Sequence, residues 1–122
     1  MELSLDRPED FLFVRRADAH AVTVVDRQLT SSFILARDRA IEDWGAADIA
    51  ALTPRQVEPI LALEPDVVLL GSGARQRFPA PAVLAACLSR GIGIEVMDNA
   101  AAARTFNLLA GEGRRVVAGF LL

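Results

Sequence analysis

The sequence predicts a single α/β domain, residues 1–122, in which a mixed and partly parallel central sheet lies between helices in three layers. Two observations predict this class. Short runs of strand-forming residues fill positions 11–38, which makes the first third rich in strands. From position 53 onward, apolar residues at helical spacing alternate with continuous apolar runs, the pattern of parallel strands covered on both faces. The 122 residues suffice to bury one core without metals or disulfides.

The first third of the chain predicts a hairpin and one further strand. The segments FLFVRR (11–16) and HAVTVVD (20–26) consist mainly of strand formers, and the tripeptide ADA at 17–19 suits the turn between them. A third strand is predicted within residues 27–38, centred on 32–36. Apolar residues alternate along these segments, as half-buried strands require.

The first helix is predicted from the residues that mark its start and its end. The tetrapeptide TPRQ at 53–56 has the form of a capping box with proline at the first helical position. Pro59 lies inside the following apolar pattern, so we expect a short or kinked helix. Pro65 then stops it.

The remaining elements alternate between strand and helix. Pro81 opens a helix that Gly91 closes, and Asp98 or Asn99 caps the next one. The continuous apolar runs DVVLLG and GIGIEVM predict strands that are buried on both faces. The predicted order is a strand at 66–71, a helix at 81–91, a strand at 91–97, a helix from 98 to about 110 and a strand at 114–122.

Composition and charge exclude several function classes. The net charge is −3, and the 13 basic residues, all arginine, are scattered among 16 acids, which argues against nucleic-acid binding. An acidic N-terminus and the lack of any apolar run of about 20 residues predict neither a secretion signal nor a membrane span, and hence a cytoplasmic location. Cys87, the single cysteine, reads as a small core residue in a reducing compartment.

The stretch Gly71-Ser72-Gly73 is the strongest candidate for a ligand site. It follows a predicted strand, where backbone N–H groups and helix N-termini favour anions. A P-loop requires a lysine, which the chain lacks, and a dinucleotide loop requires glycine where Gln76 stands. Two interpretations therefore stay open: a tight exit from a buried strand, or a modest anion site completed by Arg75 or Arg77.

Catalytic and metal-binding sets are not predicted. His20, the only histidine, lies at a strand start, and Ser72 has no evident base. Glu95 interrupts an apolar strand, which predicts either a buried acid with a raised pKa or an ion pair with Arg104 or Arg115. No metal and no cofactor is expected. A ligand site at the carboxyl edge of the sheet would use Gly71, Ser72, Gly73, Arg75, Glu95, Asp98 and Asn99.

The segments PDVVLLGSG and GIGIEVMDNAAAARTFNLLAGEGRRVVAGFL resemble a small single-domain family that includes the mitochondrial respiratory complex I assembly factor three and an adipogenesis-associated protein. Ser72 and Asp98 stand where threonine is usual in that family, and both keep an oxygen. The matching positions are Pro65, Asp66, Gly71, Ser72, Gly73, Gly91, Glu95, Met97, Thr105, Phe106, Asn107, Glu112, Arg115, Val117 and Ala118. The resemblance implies a three-layer α/β domain of a bacterial member, without an established cofactor or reaction. It also implies relatives that help to assemble NADH:ubiquinone oxidoreductase as partners rather than catalysts.

Two function hypotheses follow. The leading one is a non-enzymatic binding or assembly domain that acts through a protein partner. The rival is a small-molecule or anion-binding protein, an undiscovered enzyme included, with its site at the Gly-Ser-Gly turn. A polar pocket at that turn favours the rival, whereas an exposed apolar surface elsewhere favours a partner.

Overall fold

The computed structural model describes residues 11–122. The expectation that the first ten residues form no secretion signal lies outside this range. The described helices are α1 (Pro54–Leu61), α2 (Pro81–Leu88) and α3 (Asn99–Gly111), preceded by a single 3₁₀ turn at Ile49–Ala51. The strands are β1 (Val14–Ala17), β2 (Val22–Val24), β3 (Arg27–Leu29), β4 (Phe33–Leu35), β5 (Ala40–Ile41), β6 (Val67–Gly71), β7 (Gly93–Met97) and β8 (Val116–Phe120).

The strands form two sheets. In the small sheet, β1, β2 and β3 pair antiparallel in chain order. The large sheet has the order β5-β4-β8-β6-β7, in which β8 runs parallel to β6 and antiparallel to β4. The predicted mixed sheet and strand-rich first third are confirmed. The strand predicted within 27–38 and centred on 32–36 is confirmed as β4, whereas the separate strands β3 at 27–29 and β5 were not predicted.

Two apolar clusters, one on each face of the large sheet, build the three predicted layers. On one face, α1 and α2 bury Val57, Ile60 and Val83 together with Trp44. On the other face, α3 buries Phe106 against β6, β8 and the small sheet. The central strand β8 is buried along its whole length because both clusters contact it.

Strand β7 differs from its prediction. Its apolar run predicts burial on both faces, but it is the last described strand at its edge of the large sheet. Val96 is buried, whereas Gly93 and Glu95 on the opposite face are exposed. The reason is that α3 packs over β6 and β8 and covers only the end of β7 at Met97, so that Gly93 and Glu95 stay uncovered.

The helix boundaries follow the local signals. The Thr53 hydroxyl accepts from the Gln56 N–H, and the Gln56 side chain accepts from the Thr53 N–H, so the capping box is confirmed. With Pro59 inside it, α1 has only eight residues, as expected for a short helix. The Asp98 carboxylate caps α3 by accepting from the Ala101 N–H at 2.8 Å.

An asparagine of α3 fastens the small sheet. The Asn107 Oδ1 accepts from the Val14 N–H and its Nδ2 donates to the Val14 C=O, both at 2.8 Å. The side-chain amide thus pairs with the edge of β1 as a neighbouring strand would. This contact sets the position of β1 on α3.

Candidate functional site

The carboxyl ends of β6 and β7 meet the start of α3 at the Gly-Ser-Gly turn. Gly71 ends β6, and Ser72 and Gly73 lead into an exposed loop that reaches α2. The structure brings these three residues together with Asp98 and Asn99, as the sequence predicts for a sheet edge of this type. The Asn99 N–H donates to the Gly73 C=O at 2.9 Å, which joins the turn to the first residue of α3.

Asn99 is the centre of this region, and its side chain is fully buried. Its Oδ1 accepts from the Gly73 N–H at 3.2 Å. Its Nδ2 donates at 3.0 Å to the Leu121 C=O and at 3.0 Å to the Asp18 C=O. One side chain therefore connects the turn, the end of β8 and the hairpin between β1 and β2. Both amide N–H groups of this side chain are used in these contacts.

Ser72 stabilises the turn through hydrogen bonds to the following loop and to the end of β7. Its N–H donates to the Met97 C=O at 2.8 Å. Its hydroxyl lies 2.7 Å from the Arg75 C=O and 3.1 Å from the Met97 C=O, and it accepts from the Arg77 N–H at 3.1 Å. The hydroxyl thus holds the first residues of the loop in a fixed curve.

The space at Gly71 explains why glycine stands there. A Cβ atom on Gly71 would collide with the Asn99 Oδ1 and would lie 3.1 Å from Cδ1 of Phe120. At Gly71 the backbone of β6 approaches the Asn99 and Phe120 side chains so closely that no Cβ atom fits between them. Gly73 has a φ of +106°, in the region that glycine adopts most readily.

A cavity of about 230 Å³ lies beside the turn. Arg75 and Arg77 line it, and Arg77 forms an exposed ion pair with Asp48 at 3.2 Å. Arg75 has no ion-pair partner among residues 11–122. The N–H groups of Ser72 and Gly73, which an anion would use, are bonded within the protein.

Glu95 lies apart from this cluster. It is exposed on the edge strand β7, so the expectation of a buried acid is wrong. The expected ion pair is also wrong, because Glu95 has no such partner within the described part of the chain, and Arg115 instead lies 3.8 Å from Asp66. The physical reason is the edge position of β7, where water solvates the carboxylate.

The remaining reactive side chains are separated from one another. His20 is exposed in the hairpin, where the N–H groups of His20 and Ala21 donate to the Asp18 carboxylate and lower its pKa. Cys87 lies on the buried face of α2, and burial raises the pKa of its thiol, which makes it less reactive at neutral pH. Within residues 11–122, no three acidic, histidine or cysteine side chains are grouped as a metal site requires.

Sequence reasoning missed three exposed apolar side chains, one of which is Leu108 on α3. Phe78, in the loop before α2, is 63% exposed, and Leu88, at the end of α2, is 60% exposed. The available signal was the segment FPAPAVLAACL at 78–88, which contains no charged residue and is therefore unusual for a surface helix. No helix described by the structure has the length and apolar character needed to cross a membrane.

Residues 14–121 match the family described as protein of unknown function (DUF498/DUF598). The chain belongs to this family. The match to the DUF498/DUF598 family confirms the resemblance inferred from the motifs. One relative, named NADH dehydrogenase [ubiquinone] 1 alpha subcomplex assembly factor 3, comes from Bos taurus and is 35% identical over 78 residues. The alignment covers 62% of this chain and 42% of the bovine protein, so the chain matches less than half of that relative's length.

Solved structures share the fold. A Xanthomonas campestris protein determined by NMR is 46% identical, with a TM-score of 0.84 over 98% of this chain and 92% of its own. A Bordetella pertussis protein described as an Mth938-like domain is 26% identical, with a TM-score of 0.79 over 99% of this chain and 92% of its own. The α/β architecture of this DUF498/DUF598 member is therefore the one found in these proteins.

Proposed function

We propose that this chain is a non-enzymatic binding domain that takes part in assembling a protein complex. The observation that carries the proposal is the loop between β6 and α2, which exposes the ring of Phe78 next to Arg77 and Arg75. Aromatic and arginine side chains are enriched in protein interfaces and among the residues that dominate binding energy. The name of the bovine relative suggests a respiratory complex as the setting.

The hydrogen bonds of the turn support this role. Ser72 fixes the loop through the Arg75 C=O and the Arg77 N–H, and Gln76 donates from its Nε2 to the Val96 C=O at 2.9 Å. A loop that is ordered before binding loses less conformational entropy when a partner docks. The polar groups at the Gly-Ser-Gly turn then serve to present Phe78 rather than to hold a substrate.

The partner expected for this loop has an apolar pocket flanked by carboxylates. Such a surface would receive the Phe78 ring and pair with the two exposed arginines. Rim charges of this kind contribute to orientation and association rate, whereas the buried ring contributes more of the affinity.

Affinity capture with chemical cross-linking, from the cells that naturally produce the chain, tests the proposal. The wild type and a Leu108→Ser variant should recover the same proteins, because Leu108 is 62% exposed on the outer side of α3, away from the loop. The Phe78→Ser variant should lose them by about tenfold or more, as truncation of an interface anchor does. Failure to recover any protein reproducibly, or full recovery with Phe78→Ser, would contradict the proposal.

The same experiment separates the general role from its setting. Recovery of NADH dehydrogenase subunits supports a respiratory assembly role. Reproducible recovery of other proteins through Phe78 supports a binding domain with a different setting. A cytoplasmic location is part of this proposal, and cell fractionation tests it: recovery of the chain in the membrane or periplasmic fraction would contradict that part.

A second candidate function is anion binding in the cavity of about 230 Å³ beside the turn. The favouring observation is Arg75, an exposed guanidinium that lines the cavity without an ion-pair partner in the described residues. Ser72, Gly73, Asp98 and Asn99 would shape that site rather than contact the anion, because their polar groups bond within the protein. A thermal-shift titration with phosphate and carboxylates should then show stabilisation that Arg75→Ala abolishes, and no shift for any anion would refute this candidate.

A further inference from the structure

The outer edge of β7 carries backbone groups that no described strand pairs with. In a strand, successive residues turn their N–H and C=O groups to opposite sides. The Met97 C=O points toward β6, where it accepts from the Ser72 N–H. The backbone N–H and C=O groups of Gly93 and Glu95, at alternate positions, therefore also point toward β6. The backbone groups of Ile94 and Val96 therefore point away from the sheet, where no described strand lies.

Two backbone groups on this edge already have partners inside the chain. The Val96 C=O accepts from Gln76 Nε2 at 2.9 Å, and the Ile92 N–H donates to the Cys87 C=O at 3.1 Å. The groups left for a neighbour are the Ile94 N–H, the Ile94 C=O and the Val96 N–H, with the Ile92 C=O one step before the strand. A partner strand must match this pattern of donors and acceptors.

We propose that the β7 edge pairs antiparallel with the β7 edge of a second copy of this chain, around a twofold axis at Ile94. In this register, each Ile94 N–H donates to the Ile94 C=O of the other copy. Each Val96 N–H donates to the Ile92 C=O of the other copy. Where Ile92 of one copy lies opposite Val96 of the other, two groups remain, the Ile92 N–H and the Val96 C=O. Both already have a partner within their own chain. The edge is therefore complementary to itself.

Charge supports the same register. With the axis at Ile94, Glu95 lies opposite Gly93 of the other copy, where a side chain would meet no neighbouring atom within 4 Å. Moving the axis to Glu95 would place the two Glu95 carboxylates opposite each other, and directly opposed like charges destabilise a sheet. It would also direct the Ile94 N–H to the Val96 C=O that Gln76 already occupies.

Helix α2 completes the interface. It packs beside β7 and on the same side of the sheet in both copies, so the axis brings the two α2 helices next to each other. The helix carries no charged residue, and its exposed positions include Ala82, Ala85 and Leu88. Small side chains at a contact allow two helices to approach closely, to about 8–10 Å between axes. An uncharged helix surface is suited to an identical one.

Analytical ultracentrifugation of the full chain, from about 1 µM to about 1 mM, tests the pairing because dimerisation depends on concentration. The wild type should shift from monomer to dimer with rising concentration. Leu88→Arg should raise the dimer Kd at least about tenfold, since it places two cations at the helix contact. Leu108→Arg is the matched control, because Leu108 is 62% exposed and Leu88 is 60% exposed; it should change the Kd less than about twofold.

A cysteine experiment tests the register independently. Gly93 and Glu95 of the two copies form a directly opposed pair with Cα atoms about 4.5 Å apart, within disulfide range. A mixture of Gly93→Cys and Glu95→Cys chains should cross-link under mild oxidation, whereas each variant alone should not, since Cys87 is buried. A monomer at every concentration would overturn the proposal. So would a dimer that Leu108→Arg disrupts and Leu88→Arg does not, or equal cross-linking by Glu95→Cys alone.

Discussion

Replacing Asn99 with alanine should destabilise the fold more than any other single polar substitution at the Gly-Ser-Gly turn. The change removes the hydrogen bonds to the Gly73 N–H, the Leu121 C=O and the Asp18 C=O. The Leu121 carbonyl is buried and the Gly73 N–H is half-buried, so both lose a partner that water does not easily replace. Asp18 is exposed, and water can replace the bond to its carbonyl.

The expected magnitude follows from these differences in exposure. A buried group without its partner costs about 1–3 kcal/mol, whereas an exposed bond contributes only about 0.5 kcal/mol. The sum for Asn99→Ala is about 3 kcal/mol, a large part of a typical domain stability of about 5–15 kcal/mol. Urea unfolding followed by Trp44 fluorescence should show a lower midpoint with an unchanged slope, because the substitution does not change the amount of surface that unfolding exposes.

An isosteric variant separates hydrogen bonding from packing. Asn99→Asp keeps the shape and the acceptor but directs a carboxylate at two carbonyl oxygens. Burial raises the pKa of that carboxyl in the folded state, so the folded variant binds a proton more tightly than the unfolded one. Its stability should therefore increase as the pH falls from 7 toward about 4, the unfolded pKa. A loss below about 1 kcal/mol in Asn99→Ala, or an Asn99→Asp variant as stable as the wild type at pH 7, would refute this reasoning.

Three further predictions concern nearby features. Gly71→Ala should destabilise by about 2 kcal/mol or more through the collision with the Asn99 Oδ1, and should cost less in an Asn99→Ala background; additive losses in a double-mutant cycle would contradict the contact. Thr53→Ala should cost about 1 kcal/mol in urea unfolding by removing the cap of α1, and Thr53→Ser should restore most of it, whereas equal losses in both would exclude the cap. The pKa of Asp18 is lowered in the folded state. The Asp18 carboxylate therefore stabilises the fold above its unfolded-state pKa, and this stabilisation is lost as the pH falls through its folded-state pKa. In a pH series, Asp18→Asn should therefore lose less stability than the wild type below about pH 4, and parallel curves would contradict this.

The sequence predicted the elements whose signals are local. Thr53, Pro81 and Asp98 mark helix starts through capping and backbone restriction, and each helix begins where these residues place it. The strand β6 was also predicted, because a continuous apolar run between turn residues indicates a covered parallel strand. These features depend on neighbours within a few residues.

The features that depend on distant neighbours were predicted less well. The apolar run GIGIEVM predicts a strand that is buried on both faces, although Ile92, Ile94 and Val96 alternate with Gly93 and Glu95. That alternation is the signal of a strand covered on one face. The position of β7 at the sheet edge depends on where β6 and α3 pack, which no local pattern encodes. The strand β3 was missed because its residues, RQL, have no apolar period.

The candidate site shows the same division. The sequence placed Gly71, Ser72, Gly73, Asp98 and Asn99 at one sheet edge, and the structure brings them together. It did not predict that Asn99 is buried. It also did not predict that the Asn99 amide bonds to Asp18, 81 positions earlier in the chain, and to Leu121, 22 positions later. A polar residue at a helix start is usually exposed, so only the tertiary contacts identify this one as internal.

The order of the large sheet has a consequence for synthesis on the ribosome. β8, made after every other described strand, lies in the middle of the sheet between β4 and β6. Phe33 and Ile34 of β4 pair with Phe120 and Gly119, which are made more than 80 positions later in the sequence. Until Gly119 and Phe120 leave the exit tunnel, β4 and β6 lack the strand that joins them in one sheet. The large sheet therefore cannot form before β8 has been made, and the unpaired apolar strands of the growing chain are exposed to aggregation until then.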